Sequence, residues 1–412
     1  MKATKYLFLF LLIAIVWSCK KDDDDDPEPP IETKVLLSAT EIEDASADLN
    51  AVKALFVLLS NTVPSAPDLS DDVVAGIKVY YIEYVSSYAD GSTITLSGLV
   101  CIPDDASLKS MAISFQNGTI VQHSSAPSEN LDNTELMLLR AFAGLGYVVI
   151  IPDYIGFGAN ESLDHPYHYK PLFQSTIRDM LLAVQEMAQT GDYPFQLSGE
   201  LFLTGYSLGG WASLVSHYDI EQSPIPGLTL TGSACGAGAY NLLGMKTFLF
   251  DQTNYVQPFY VPYLINSYQS VGAIEDNFPL YFSEPYASLI PGLFNGLNSS
   301  GQINDQLTTN MQELLSERLL AEFDTHADFK PLRNALSDNS QAAWQNTKPI
   351  TLYHGNADIN VPYFISENLY TDFLNMGQGI DKVQFITLEG ADHGTGVMPM
   401  YIDVIEKLLE AN

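Results

Sequence analysis

Ser207, Asp358 and His393 are the residues of this 412-residue chain whose types and surroundings could do chemistry together. A serine hydroxyl is a weak nucleophile at neutral pH. It needs a base within hydrogen-bond reach, and the base needs an acid to orient it. Ser207 stands in Gly205-Tyr206-Ser207-Leu208-Gly209-Gly210, after the apolar run Glu200–Thr204 and before the helix-compatible run Trp211–His217. Gly-x-Ser-x-Gly between a strand and a helix is expected to form a tight, strained turn that exposes the serine at the end of the strand. Larger residues in place of Gly205 and Gly209 would collide with the adjacent strand and helix. The start of the following helix favours negative charge beside Ser207. A serine in a glycine-rich turn that merely connects strand to helix is the plain alternative.

The base and the acid come later in the chain. His354-Gly355-Asn356-Ala357-Asp358 follows the apolar run Pro349–Tyr353, and Gly390-Ala391-Asp392-His393-Gly394 follows Val383–Leu388. Asp358 and His393 are thus expected in loops at the carboxyl ends of neighbouring strands, where catalytic groups collect. The order Ser, Asp, His is the one associated with this serine turn. Asp392 adjoins His393, but neighbouring side chains on a loop seldom face each other, so Asp358 is the expected acid. His354 reads as a loop or core histidine. His123, His165 and His168 form no metal-ligand spacing with Cys, Asp or Glu, so neither a metal nor a cofactor is expected.

These loops need a frame. Glu41–Leu59 has helical spacing at Ile42, Ala45, Leu49, Val52, Leu55, Phe56 and Leu59. Ile77–Tyr88 and Ser92–Ile102 flank Asp90-Gly91 and read as a hairpin. Strands at Met111–Phe115, Tyr147–Ile151, Leu201–Thr204 and Leu228–Ala234 then alternate with helices at Thr134–Leu145 and Pro171–Gln189. Pro349–Tyr353 and Val383–Leu388 follow as strands, with helices at Tyr363–Met376 and Met398–Leu409. An antiparallel start followed by this repetition predicts an α/β fold, a mostly parallel twisted sheet with helices on both faces. The rhythm breaks between about 240 and 348. That stretch is dense in aromatics from Phe248 to Tyr286 and reads as a cap over the sheet edge, with most rings forming its own core.

With all motifs in this order, each after a strand, the chain from about Ile77 onward resembles an α/β-hydrolase. Pro152-Asp153-Tyr154-Ile155-Gly156-Phe157-Gly158, His165-Pro166-Tyr167 and Gly205–Gly210 are similar to the secretory lipase/esterase branch, whose members carry a large helical cap. The resemblance implies a serine carboxylic-ester hydrolase acting through an acyl-enzyme on Ser207, with His393 as base and Asp358 as acid. It also implies an oxyanion hole. One N–H would come from Leu208, the other from Gln116-Asn117-Gly118-Thr119, where Gly118 keeps the turn and Thr119 is the donor. Many such hydrolases have His-Gly where this chain has Asn117-Gly118. Asp153 and Tyr154 are expected to shape the pocket wall. Two alternatives remain: a peptidase of the prolyl-oligopeptidase kind, disfavoured because no propeller-sized domain precedes the hairpin, and a non-catalytic ligand-binding surface lipoprotein, against which the complete triad stands.

Composition and the N-terminus bear on location. Fifty acidic residues against 18 Lys and Arg give a net charge of −32, which argues against nucleic acid as a partner. Lys2 and Lys5 precede an apolar run, Tyr6–Trp17, that is short for a membrane span. Val16-Trp17-Ser18-Cys19 resembles a bacterial lipobox, although Trp17 replaces the usual small residue. The resemblance implies a signal peptide over 1–18 and a lipidated Cys19; an ordinary secretory signal is the alternative. Asp22–Asp26 and Pro27-Glu28-Pro29-Pro30 make 19–34 an acidic tether that cannot bury surface, ahead of a catalytic domain over 35–412. The expected setting is extracytoplasmic, anchored by lipid to a bacterial outer membrane, with surface display as one form of it. The expected partners are that membrane and a small-molecule or lipid ester, with the oligomeric state open. Cys101 and Cys235 could pair or stay free.

Overall fold

A computed structural model of the chain describes residues 34–62 and 66–411. The expected signal segment, Cys19 and the acidic run lie outside them. Among the described residues nine strands form one sheet, in the order β1-β2-β3-β5-β4-β6-β7-β8-β9. β1 (Leu36–Glu41), β2 (Ile77–Ser87) and β3 (Thr93–Pro103) run antiparallel, and β3 pairs antiparallel with β5 (Val148–Pro152). From β5 onward, β4 (Lys109–Gln116), β6 (Gln196–Tyr206), β7 (Thr229–Gly236), β8 (Ile350–Gly355) and β9 (Val383–Leu388) are all parallel. Their carboxyl ends therefore share one edge.

The central strands are apolar throughout because both faces are covered. In β5, Val148 and Ile150 feed one core, while Val149 and Ile151 feed the other. The first core receives α3 (Lys170–Thr190), α4 (Leu208–Gln222) and α13 (Phe364–Asn375). The second receives α1 (Leu49–Thr62), α2 (Thr134–Ala141) and α14 (Val397–Ala411). No helix among the described residues is long and apolar enough to cross a membrane.

One expected element changes. The helix expected over 41–59 starts only at Leu49, and Leu36–Glu41 is an edge strand paired with β2. The Ile42 N–H still bonds the Val79 carbonyl, so this backbone belongs to the sheet. Asp48 then accepts the Ala51 N–H at 2.9 Å and starts the helix as a cap. Glu186 of α3 accepts the N–H groups of Val35 and Leu36 and docks the new strand. Cys101 and Cys235 are separate buried thiols. They lie on β3 and β7, which β5, β4 and β6 keep apart. Burial pushes both up to about 12.

The sequence between β7 and β8 forms the cap. Its longer helices are α5 (Leu242–Phe250), α6 (Tyr260–Ser270) and α12 (Lys330–Asp338). Between α6 and α12 lie the short turns α7 (Phe278–Tyr281), α8 (Tyr286–Leu289), α9 (Ser300–Asn304), α10 (Met311–Leu314) and α11 (Glu317–Glu322). Several cap rings act as anchors to the body. The hydroxyls of Tyr263, Tyr268 and Tyr255 donate to the carbonyls of Ile120, His168 and Asn360. The chain returns to β8 under a clip, where Glu221 of α4 accepts from Trp344 Nε1 and from the N–H groups of Thr347 and Lys348.

Candidate active site

Ser207 lies between the last residue of β6 and the first of α4, with φ 60° and ψ −121°. A non-glycine residue adopts that conformation only when its surroundings impose it. Here its N–H donates to the Gly236 carbonyl at 2.8 Å, and its carbonyl accepts the Trp211 N–H at 3.1 Å. The flanking glycines make the turn possible. A Cβ on Gly205 would stand 2.5 Å from the carbonyl oxygens of Gln116 and Gly209, and one on Gly209 would stand 1.9 Å from that of Gln116. Gly210 has its own reason: a Cβ there would meet the Gly236 oxygen at 2.1 Å. The obstructing atoms are backbone and cannot swing aside. Small residues thus seat α4 on the carboxyl ends of β4 and β7.

The structure brings His393 and Asp358 to this serine. His393 Nε2 is 2.8 Å from Ser207 Oγ, and His393 Nδ1 is 2.6 Å from Asp358 Oδ2. A carboxylate can only accept, so the hydrogen sits on Nδ1. Nε2 then presents its lone pair to the serine hydroxyl. Asp358 is buried, and its Oδ1 accepts the N–H groups of Asn360 and Val361 at 2.8 and 3.0 Å. Burial pushes its pKa up, but hydrogen bonds and charge from His354 and His393 outweigh that and hold it at about 2. Asp392 faces elsewhere. Its Oδ1 accepts from the Gly394 and Thr395 N–H groups and from the Thr395 hydroxyl, which shapes the loop carrying His393.

The loop after β4 lies against the serine turn. Leu208 is the first residue of α4, so its N–H has no acceptor within the helix. Thr119 bonds Tyr167 OH through Oγ1 at 3.1 Å, and its N–H meets no acceptor among the described residues. Tyr154 OH donates to the Asn117 carbonyl and Tyr263 OH to the Ile120 carbonyl, so the loop is pinned on both sides of Gly118 and Thr119. Gly118 itself has no left-handed φ, and a Cβ there would find only the Tyr206 oxygen at 3.7 Å. The expected need for glycine in that turn is therefore corrected: the chain path leaves room for a side chain.

An apolar cleft opens on Ser207 and Leu208. Tyr167, His168, Ala239 and Val361 bound it from the body; Leu242, Met245, Leu249, Val261 and Leu264 bound it from the cap. Those five cap side chains also wall a second apolar pocket, bounded on its other side by Phe250, Ile265, Leu319, Phe323, Leu332 and Leu336. Of the aromatics from Phe248 to Tyr286, only Tyr255 and Tyr260 border the cleft. The lining is chiefly aliphatic: α5 gives it Leu242, Met245 and Leu249, and α6 gives it Val261 and Leu264.

Asp153 and Tyr154 stand behind the wall rather than on it. Asp153 is fully buried and accepts from the hydroxyls of Ser97 and Ser128 at 2.6 and 2.7 Å. Burial raises its pKa against the opposing effect of those bonds. His165 spends Nδ1 on the Ile155 carbonyl at 2.8 Å, and burial pushes it down to about 4. His168 borders the cleft beside Trp211 and is pushed down to about 3 by burial. His123 faces Glu161 at 3.3 Å. Among the described residues no group of His, Cys, Asp and Glu could hold a metal ion. His354, read from sequence as a loop or core residue, is buried as expected but also contacts Asp358, 3.2 Å from its Oδ2. Its spacing from Asp358 carries no signal, because the intervening residues form a loop.

No protein-family model and no curated protein sequence matches the chain. Solved structures do. A Legionella pneumophila protein is similar with a TM-score of 0.79 at 24% identity, over 90% of this chain and 98% of that one. The rice cell-wall-degrading esterase LipA of Xanthomonas oryzae is similar with a TM-score of 0.76 at 21% identity, over 92% and 99% of the two chains. Lipase A of Candida antarctica in its closed state gives a TM-score of 0.62 at 13% identity, over 89% and 79%. At such identities the likeness is one of architecture. The chain has the α/β-hydrolase fold, with a helical cap inserted between β7 and β8.

Proposed function

We propose that the chain is a serine carboxylic-ester hydrolase of the lipase or esterase kind. The observation that carries this reading is the continuous relay Ser207–His393–Asp358 at the floor of an apolar cleft. In the proposed reaction Ser207 Oγ attacks the ester carbonyl carbon, and its proton passes to His393 Nε2. The carbonyl oxygen gains negative charge and takes the N–H groups of Leu208 and Thr119. The C–O bond to the alcohol breaks, and the proton on Nε2 goes to the leaving oxygen. Water then attacks the acyl-enzyme by the same route, releasing the acid and returning the proton to Ser207. Asp358 is ionised far below neutral pH, so it faces the imidazolium as an anion in both half-reactions. The fold is shared with structures described as an esterase and a lipase, which supports the class.

The aliphatic lining supports an acyl chain as occupant of the cleft. Each methylene buried there contributes up to about a fourfold gain in kcat/KM, the equivalent of ~0.8 kcal/mol. The expected result on p-nitrophenyl esters is a climb from acetate to octanoate, six methylenes, of up to about 4,000-fold. An enzyme that prefers acetate would contradict an acyl-filled cleft and would point to a small-acyl or carbohydrate esterase.

Anchoring through Cys19 belongs to the same proposal and rests on the sequence pattern alone. A lipobox cysteine carrying more than one chain would hold the protein stably at a membrane. Cys19→Ala is expected to move active enzyme from the membrane fraction to the soluble one, or to leave unprocessed precursor. Correctly cleaved Cys19→Ala protein that still sediments with membranes would contradict the anchor.

A further inference from the structure

We infer that His354 is a positioning residue for the acid of the relay: its Nε2–H fixes Asp358 Oδ2 where His393 can reach it, the Val361 carbonyl keeps that hydrogen on Nε2, and Ser366 holds the ring from its other nitrogen. The inference rests on the reading of Ser207, His393 and Asp358 as a reacting relay. His354 lies near the end of β8 and its ring is wholly buried. Nε2 is 2.9 Å from the Val361 carbonyl oxygen. That oxygen only accepts, so the hydrogen must be on Nε2. The same nitrogen is 3.2 Å from Asp358 Oδ2, and its hydrogen is shared between the two acceptors. Nδ1, on the far side of the ring, is hydrogen-bonded to Ser366 Oγ at 2.6 Å. Ser366 is itself fully buried in the first turn of α13, so its hydroxyl is held at this task.

The consequence falls on Asp358. Its Oδ1 receives two backbone N–H groups and its Oδ2 receives two imidazole N–H groups. Every lone-pair site of the carboxylate is used, so rotating the carboxylate away from His393 would break bonds on both oxygens. No other described group donates to Oδ2. Tyr363 packs its ring on His354, while Tyr206, Tyr255, Tyr260 and Asp392 act on Asp358 only through space. His354 thus fixes the acid's position and also tempers how strongly the acid holds a proton on His393.

The test compares His354→Leu, which keeps bulk and removes the donor, with His354→Gln, which returns an amide N–H near the Nε2 position. Both are assayed on p-nitrophenyl butyrate across pH. His354→Leu is expected to lower kcat by about 10- to 100-fold, the scale of a misplaced catalytic group, with KM within about twofold. The acid limb of kcat/KM should also move to higher pH, because Asp358 short of one donor holds the His393 proton more tightly. His354→Gln should restore the limb and most of kcat. A loss in His354→Leu that is uniform across pH, or a His354→Gln as impaired as His354→Leu, would overturn the inference and leave His354 a packing residue. Should His354→Leu not fold, Ser366→Ala removes only the hydroxyl that holds the His354 ring from Nδ1. A smaller shift of the limb in the same direction supports the inference, and an unmoved limb overturns it. A wild-type chain whose Ser207 is unreactive would overturn the relay itself; a reactive Ser207 with unmoved limbs overturns this inference alone.

Discussion

Ser207→Ala is expected to lower kcat for an activated ester by roughly 10⁴- to 10⁶-fold while the protein stays folded. The substitution removes Oγ and with it the covalent intermediate, yet it keeps the Cβ and the backbone that the serine turn requires. The turn is held by the Ser207 N–H to the Gly236 carbonyl and by the fit of Gly205, Gly209 and Gly210 against neighbouring backbone, none of which needs the hydroxyl. What is lost on the stability side is one hydrogen bond to His393, at 2.8 Å. Unchanged circular dichroism with a collapse of turnover is the expected pair of readings. Retention of more than about one per cent of wild-type kcat would mean that the chemistry lies elsewhere.

Asp358→Asn should cost on the order of 10⁴ in kcat. The surroundings dictate which way the new amide faces. Two backbone N–H groups occupy Oδ1, so the amide oxygen must take that side and the NH₂ must take the place of Oδ2. That NH₂ points at His393 Nδ1 and forces it to become the acceptor. The imidazole hydrogen moves to Nε2 and aims at Ser207 Oγ, which then has no base. The same NH₂ also confronts the Nε2–H of His354. Asp392→Asn should change kcat by no more than about threefold, because the Asp392 carboxylate serves the backbone of its own loop and is exposed. A silent Asp358→Asn beside a crippled Asp392→Asn would reverse the assignment of the acid. Since Asp358 stays charged down to about pH 2, the acid limb of the wild-type profile should show the loss of a single protonation step, that of His393.

The parts of this site legible in the sequence are those whose geometry is set locally. Gly205 and Gly209 border Ser207 because backbone oxygens stand where their side chains would be, and any strand–turn–helix of this kind meets the same obstruction. Asp358 and His393 each follow an apolar strand, and parallel strands deliver such loops to a common edge. Other features depend on contacts distant in sequence. β1 went unread because an edge strand is half exposed: Leu36 is buried while its neighbours are mostly not, so no two-residue alternation appears. Ile42 and Ala45 happen to continue the spacing of α1 backward to the end of that strand. Most of the cap's rings serve its own core and anchorage, as Tyr263 and Tyr268 do, while the cap side chains that meet the cleft are chiefly the aliphatic Leu242, Met245, Leu249, Val261 and Leu264, which no feature of the sequence marks. The role of His354 was hidden as well, since its bond to Asp358 is made by a loop that turns back on the strand.

The central claim is that Ser207 is an activated nucleophile, and labelling with a fluorophosphonate tests it most directly. The phosphorus reacts with a serine oxygen only where a base removes the proton, and the oxyanion donors then stabilise the product-like adduct. Peptide mass spectrometry is expected to place one adduct on Ser207, with ester hydrolysis falling in step with labelling. The Ser207→Ala protein should remain unlabelled, and Asp358→Asn should label far more slowly. An adduct on another residue, or full hydrolysis while Ser207 remains unmodified by excess probe, would contradict the account.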